Sequence, residues 1–399
     1  MIPPLRRAYN AAFTPAAYAR FGESLAAHIG EAPTFRLAET PVFLPDELAG
    51  DLLRASEQIS DYLADPAHLA ATREAIKAPY WSVPGELRHP RFLQYDFAIC
   101  RGPGGRLTPW LIELQGFPSL YLFQAYLAQG FRQNLPVPPG LSSYFGGYDQ
   151  DRYVELLRRV VLGDAPAERT VLLEIEPDKQ NTRVDFRATA NLLGVPTVAL
   201  EEVRRDGRAL SYRRAGRTVP IERIYNRVIL DELLRRDVDA YAFSLREEVD
   251  AEWIGHPDWF LRISKHTLPA LGHLDGVPET YFADAYRPGV LDLADCVLKP
   301  LYSFSGAGVN IHPTEADIAA LERPGNWIVQ RKVAYEPVLT TPTGPAKCEV
   351  RMMLVWPDGA ARPEVVNNLV RITKGEMTGV KYNRDKDWVG ASVALHGLR

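Results

Sequence analysis

Apolar residues recur every three to four positions in PAAYARFGESLAAHI and PDELAGDLLRASEQISDYL, with Pro and Asp at their starts, so residues 14–78 are expected to form helices. The pattern then shifts to strands, RFLQYDFAI and PWLIEL, separated by CRGPGGRLT, which reads as a β-hairpin with a loose loop. The apolar stretch 117–131 contains Gln124 and Gln129. It is too short to cross a bilayer, which takes ~20 apolar residues, and is expected to be a buried helix. NLPVPPGLSSYFGGYDQ, residues 134–150, reads as a linker. Helix, TVLLEI, RVDFRATANLLG, PTVAL, a hairpin, RIYNRVI and a further helix then predict a small α/β unit with a parallel core, residues 151–260. Ligands in such units sit at the carboxyl ends of the strands. From 261 to 399, CVLKP, WIVQRKV, CEVRMMLVW and EVVNNLVRI alternate with turns and one helix near 315–321, an α+β pattern with antiparallel sheet.

Composition narrows the class. A chain of 399 residues with 46% hydrophobic and 24% charged residues can build two or three packed domains. The net charge of -4 leaves no basic footprint for nucleic acid, and EEVRRDGRALSYRRAGR is broken by acids and turn residues as a solvated hairpin would be. MIPPLRRAYNAAF has basic residues but no apolar run, so no secretory signal and a cytoplasmic location are expected. Cys100, Cys296 and Cys348 are scattered and odd in number, arguing against disulfides and a zinc site.

In CVLKPLYSFSGAGVNI a strand ends in Lys299 and runs into Ser305, Gly306 and Gly308. Small residues let backbone N–H groups approach phosphate oxygens while the lysine supplies a fixed charge. No GK[ST] follows, so this is not a Walker A loop, and alone it reads equally as a glycine turn. NWIVQRKV, with Gln330 and Lys332, is either a strand that holds an adenine edge or an exposed strand end with solvated charges. RISKHTLPALGHLDGVPETY places Lys265 at a helix start.

The order of these blocks, ending in a strand that carries Arg351, resembles the nucleotide-binding half of ATP-grasp enzymes. That family's metal-binding strand, with Glu-x-Asn followed by Pro, normally comes last. Here YDFAICRGPGGRLTPWLIELQGFPSL, with Asp96, Glu113, Gln115 and Pro118, occupies residues near the start of the chain instead. The order is similar to that of eukaryotic-type glutathione synthetases and related bacterial proteins of the circularly permuted ATP-grasp group. The resemblance implies four regions: a helical section 1–85, permuted metal-binding strands and linker 86–150, an α/β substrate unit 151–260, and a nucleotide-binding region 261–399. Strands near 113, 299, 351 and 371 are expected in one sheet.

The resemblance also implies ATP and Mg²⁺ as cofactors. Glu113 and Gln115, at i and i+2 of a strand, point to one face and can offer oxygens to a hard cation. Asp96 and Glu336, the latter four residues after Lys332, complete the implied metal set. Gln115 departs from the family's Asn by one methylene. Lys265, Lys299, Ser305, Gly306, Gly308, Gln330, Lys332 and Lys374 are the implied nucleotide contacts, with Asn383 a weaker one in the TKGEMTGVKYNRDKDWVGAS loop. Arg351 and Arg371 would face the transferring phosphoryl group. Glu176, Asn181, Arg183 and Arg227 would read the acceptor, where LEIEPDKQNTRVDF opens a helix whose free N–H groups favour anions; helix capping by Asn181 is the alternative. The activity implied is carboxylate–amine ligation on small molecules, amino acids or short peptides, and a homodimer is compatible with it. A non-catalytic nucleotide-binding protein acting through a partner, and a kinase on the same fold, are the competing classes.

Overall fold

The computed structural model of the chain describes residues 1–398 except 237–240, 304–305, 377, 379–382 and 384. The helical section holds α1 (Pro3–Ala12), α2 (Pro15–Ile29), β1 (Val42–Phe43), α3 (Asp46–Ala64) and α4 (Pro66–Ala71). α2 starts where the Thr14 side chain accepts the Ala17 N–H ahead of Pro15, and stops at Gly30, whose φ of 88 reverses the chain. Its Ala17, Phe21, Leu25 and Ile29 are buried at four-residue spacing.

Next come β2 (Phe92–Arg101), β3 (Leu107–Gln115) and α5 (Tyr121–Asn134). The helix expected over 117–131 begins only after Leu120, a left-handed residue with φ 63. α6 (Gln150–Leu162), β4 (Thr170–Glu174), α7 (Arg183–Leu193), β5 (Thr197–Ala199), the meander β6 (Arg204–Asp206), β7 (Ala209–Arg214) and β8 (Arg217–Ile221), then β9 (Arg223–Asn226), α8 (Leu230–Leu233) and β10 (Glu252–Trp253) form the α/β unit. Its sheet order is β10-β9-β4-β5, with every pairing parallel.

α9 (Asp258–Arg262) leads into β11 (Thr280–Phe282), β12 (Cys296–Pro300), α10 (Glu315–Ala319) and β13 (Trp327–Arg331). These strands make a separate antiparallel sheet in the order β11-β13-β12. The chain closes with β14 (Leu339–Thr341), β15 (Gly344–Val355), β16 (Glu364–Thr373), β17 (Gly390–Ser392) and β18 (Ala394–Leu395). The central sheet runs β17-β16-β15-β2-β3, with β14 on β15. The strand of Glu113 therefore does share a sheet with those of Arg351 and Arg371. The strand of Lys299 does not, which corrects the single-sheet expectation: β12 finds its partner in β13 and meets the central sheet through side chains.

The two ends of the chain are interwoven. β1 pairs in parallel with β18, and Leu37 bridges Ala391. In the central sheet, period-two alternation divides the faces. Tyr95, Phe97 and Ile99 of β2 lie with Val350 and Met352 of β15 in the apolar core, all nearly inaccessible. Gln94 and Asp96 consequently point the other way, with Glu349 and Arg351.

Candidate functional site

The polar face of the central sheet is assembled by register. Arg351 lies opposite Asp96, Asp96 opposite Glu113, Gln94 opposite Gln115, and Glu349 opposite Arg371. Arg351 grips Asp96 through two bonds, Nε to Oδ1 at 2.6 Å and Nη2 to Oδ2 at 2.7 Å, and reaches Gln94 Oε1 at 3.1 Å. Arg371 bridges Asp96 and Glu349, and Tyr335 donates its hydroxyl to Glu349 Oε2 at 2.7 Å. Burial opposes ionisation of Asp96, but the two guanidiniums outweigh it and hold its carboxyl below the usual range. Burial pushes Glu349 up, against the pull of Arg371. For Arg371, burial is outweighed by Glu349, Asp96 and Glu113, so its guanidinium is held charged.

Two buried lysines face β3. Lys299 Nζ donates to Gln330 Oε1 at 2.6 Å and to the Ile112 carbonyl at 3.4 Å, while Lys265 Nζ donates to the Ser303 carbonyl at 2.7 Å and the Leu301 carbonyl at 3.3 Å. Lys265 Nζ lies 3.9 Å from Glu113 Oε2. Desolvation, partly offset by Glu113, lowers Lys299 to about 8, and it lowers Lys265 too. The loop after β12 turns back so that Asn310 bridges Leu298. Gly306 and Gly308 take φ of 70 and 73 in it, and a Cβ on Gly308 would meet Pro300 Cγ at 3.1 Å. Ser305 lies outside the described residues.

Several residues expected beside this cluster make other bonds. Lys332 Nζ donates to the Ala294 carbonyl at 2.6 Å. Lys374 Nζ donates to Thr343 Oγ1 at 2.6 Å and pairs with Asp387, while the Asn383 Oδ1 accepts the N–H groups of Lys374 and Gly375. Glu336 pairs with Arg101 at 2.5 Å, and its N–H bonds Ile99, three residues along β2 from Asp96. Of the four implied metal ligands, Asp96, Glu113 and Gln115 are neighbours where β2 pairs with β3, whereas Glu336 is turned to Arg101. Asp96 is engaged by arginines and Glu336 by Arg101, leaving Glu113 with Gln115, whose Nε2 donates to Glu113 Oε1 at 3.2 Å. Among the described residues no three His, Cys, Asp or Glu side chains are grouped to hold a metal. A carboxylate and an amide oxygen on one strand do fit Mg²⁺, which takes few protein oxygens and fills its shell with phosphates and water.

At the carboxyl end of the parallel sheet Arg227 follows β9, buried to 4% exposure. Its Nη2 donates to Thr182 Oγ1 at 3.2 Å, but Nε and Nη1 have no partner among the described residues. The guanidinium lies 4.7 Å from the Phe117 ring and 5.6 Å from that of Phe186. Glu174 ends β4 nearby; burial pushes its carboxyl up to about 8 against the opposing charge of Arg227. The other expected acceptor contacts are set elsewhere. Glu176, left-handed at φ 43, pairs with Lys179 and Arg236. Arg183 pairs with Glu31 of the helical section. Asn181 is exposed, and Thr182 rather than Asn181 sits at the cap position of α7.

Sequence reasoning missed Glu349, Tyr335, Glu174 and Asp185. The last of these, fully buried on α7, accepts the N–H groups of Leu120, Leu122 and Phe123 at 2.9, 3.0 and 2.9 Å. The free helix start that takes an anion is therefore that of α5, and the anion is the chain's own. Glu174 alone carried a signal, as an acid at the carboxyl end of a buried parallel strand.

No protein-family model and no curated protein matches the chain. Among solved structures it is similar to a glutathione synthetase-like effector from Globodera pallida in its apo form, at 11% identity and a TM-score of 0.56, over 97% of this chain and 98% of that one. A likeness of that depth is one of fold: this mixed α/β chain shares the architecture of a glutathione synthetase-like protein along nearly its whole length.

Proposed function

We propose that the chain is an ATP-dependent carboxylate–amine ligase of the ATP-grasp type with its segments in circularly permuted order. The observation that supports this most is the meeting of Glu113, from the β2–β3 hairpin, with Lys265 and Lys299, from residues far along the chain. Lys265 and Lys299 would neutralise the ATP phosphates. Glu113 and Gln115 would hold Mg²⁺, which neutralises charge on the transferring phosphoryl group. Arg371, charged and backed by Asp96 and Glu349, would lie along the path of that group. Arg227 would take the acceptor carboxylate with its two unpartnered nitrogens. In the reaction, a carboxylate oxygen bonds the γ-phosphorus as the bond to ADP breaks. The amine nitrogen then bonds the acyl carbon, loses its proton, and releases phosphate. The substrates in this reading are amino acids or short peptides.

A second reading, a nucleotide-binding protein without catalysis, is favoured by the ion pairs that occupy Asp96 and Glu336 and by the longer Gln115 side chain. ADP release with ATP, Mg²⁺ and pooled carboxylates, with and without amines, separates the two. A ligase needs both substrates for full turnover. ATP binding without turnover would leave the second reading, and turnover with the carboxylate alone would make the chain a kinase.

A further inference from the structure

Resting on the ligase reading, we infer that Asp185 is a positioning residue that ties the strand of Glu113 and Gln115 to the acceptor subsite at Arg227. The chain leaves Gln115 through residues 116–120 and enters α5. This connection is held on every side. Gly116 donates to the Ile263 carbonyl, and a Cβ there would stand 2.6 Å from the Trp259 carbonyl. The Ser119 carbonyl accepts from Gln94 Nε2 at 2.7 Å. Leu120 is turned left-handed, a conformation costly for a leucine, and it can offer no side-chain cap to α5. Asp185 supplies that cap from another segment with both of its oxygens. What the cap fixes is the connection that carries Phe117, the ring under Arg227.

The same carboxylate acts on Arg227 by charge. Burial pushes the Asp185 carboxyl up and the charge of Arg227 pulls it back, yet the one hydrogen bond of that guanidinium among the described residues goes to Thr182. Because three backbone amides engage Asp185, it balances the buried cation without covering Nε and Nη1. Thr182 is tied into the same unit, since its carbonyl accepts the Asp185 N–H at 2.8 Å. One buried acid thus sets the ring, the guanidinium's counter-charge and the N–H groups left free for a substrate. Displacement of the 116–120 connection would shift the acceptor relative to Glu113, and misplacement of ~1 Å can cost about 100-fold in rate.

The test compares wild type with Asp185→Asn, which keeps shape and removes charge, and Asp185→Ala, which removes both. Three readouts are taken: hydrogen exchange of segment 116–123, calorimetric affinity for MgATP, and ADP release against a titrated pool of the twenty amino acids and their glycine dipeptides. Expected for Asp185→Asn are at least tenfold faster exchange in 116–123, an ATP affinity within twofold of wild type, and at least a tenfold higher half-saturating pool concentration. Asp185→Ala exceeds it in the first and third. Faster exchange with an unchanged pool dependence would make Asp185 a structural cap only and overturn the coupling, as would an equal loss of ATP and acceptor affinity. If Asp185→Ala does not fold, Asp185→Asn decides. Wild-type protein that binds no MgATP would instead sink the ligase reading, and this inference with it.

Discussion

The polar face of the central sheet and the end of the α/β unit both bury charge, and they do so in opposite ways. Around Asp96 the carboxylates of Asp96 and Glu349 meet guanidiniums in short bonds and Tyr335 adds a hydroxyl to Glu349, so that of these groups Arg371 Nε is left without a partner among the described residues. At Arg227 two nitrogens are sealed from solvent with no partner among the described residues, whereas Lys299, though bonded to Gln330 and the Ile112 carbonyl, is desolvated until it titrates near 8. A satisfied buried network stiffens a fold, whereas an unsatisfied donor is costly to the empty protein and is repaid when a ligand accepts from it. The contrast separates framework from binding groups more sharply than position in the sheet does, because Asp96 and Glu113 are neighbours on one sheet.

The largest effect should come from breaking the Asp96 network. Asp96→Ala leaves the buried guanidinium of Arg351 without its counter-ion and Arg371 with Glu349 alone, and is expected to cost about 3–5 kcal/mol of unfolding free energy, read by urea denaturation. A loss below ~1 kcal/mol would show that the network is not framework.

His396 sharpens the contrast from the other side, since it is fully buried against Phe145 with both ring nitrogens unpartnered among the described residues. Burial lowers its pKa from 6.5 to about 4. The unfolded chain therefore takes up a proton that the folded one refuses, and stability should be intact above pH ~6.5 and fall by up to about 3 kcal/mol as pH drops toward 4. His396→Leu should flatten that slope in acid melts. An unchanged slope would assign the acid sensitivity to other groups.

Lys299→Ala should weaken MgATP binding at least tenfold in calorimetry, in line with about 1.5–3 kcal/mol for a charge-assisted bond, while leaving the melting temperature equal or higher. The sign with pH follows from its depressed pKa: the ammonium is present below about 8, so affinity should decline as pH rises through that value, and folding should gain stability from pH 8 upward as the unfolded lysine alone stays protonated. Unchanged affinity would remove Lys299 from the phosphate site. The smallest effect is expected at Glu336, whose partner Arg101 is half exposed: Glu336→Gln should change stability by about 0–1 kcal/mol. If the Mg²⁺ concentration giving half-maximal ADP release also stays constant, Glu336 is no metal ligand.

Much of the framework was legible because it is local. Apolar runs bounded by Gly and Pro announce β2 and β3 as strands, and the i and i+2 spacing on β3 places Glu113 and Gln115 side by side. What spacing could not show depended on partners elsewhere in the chain. Asp96 reads as a ligand until Arg351 is seen opposite it, 255 residues away. Lys332 and Lys374 sit in suggestive segments, but a lysine's long stem lets its ammonium settle on whichever carbonyl or carboxylate the fold brings near. Asp185 looks like one more polar position on an amphipathic helix, and only the left-handed turn at Leu120 turns it into a cap.

The pairing of β2 with β15 also bears on how the protein is made. The ribosome releases the hairpin well before its neighbour: with 255 residues between Asp96 and Arg351 and synthesis at about 5–20 residues per second, β2 waits roughly 10–50 s for its partner strand. During that interval its backbone is an open edge that another nascent chain could join. The acid on its inward face, which two arginines later neutralise, makes that joining unfavourable until the C-terminal strands emerge. Asp96 would then guard the growing chain against aggregation first and brace the finished sheet second.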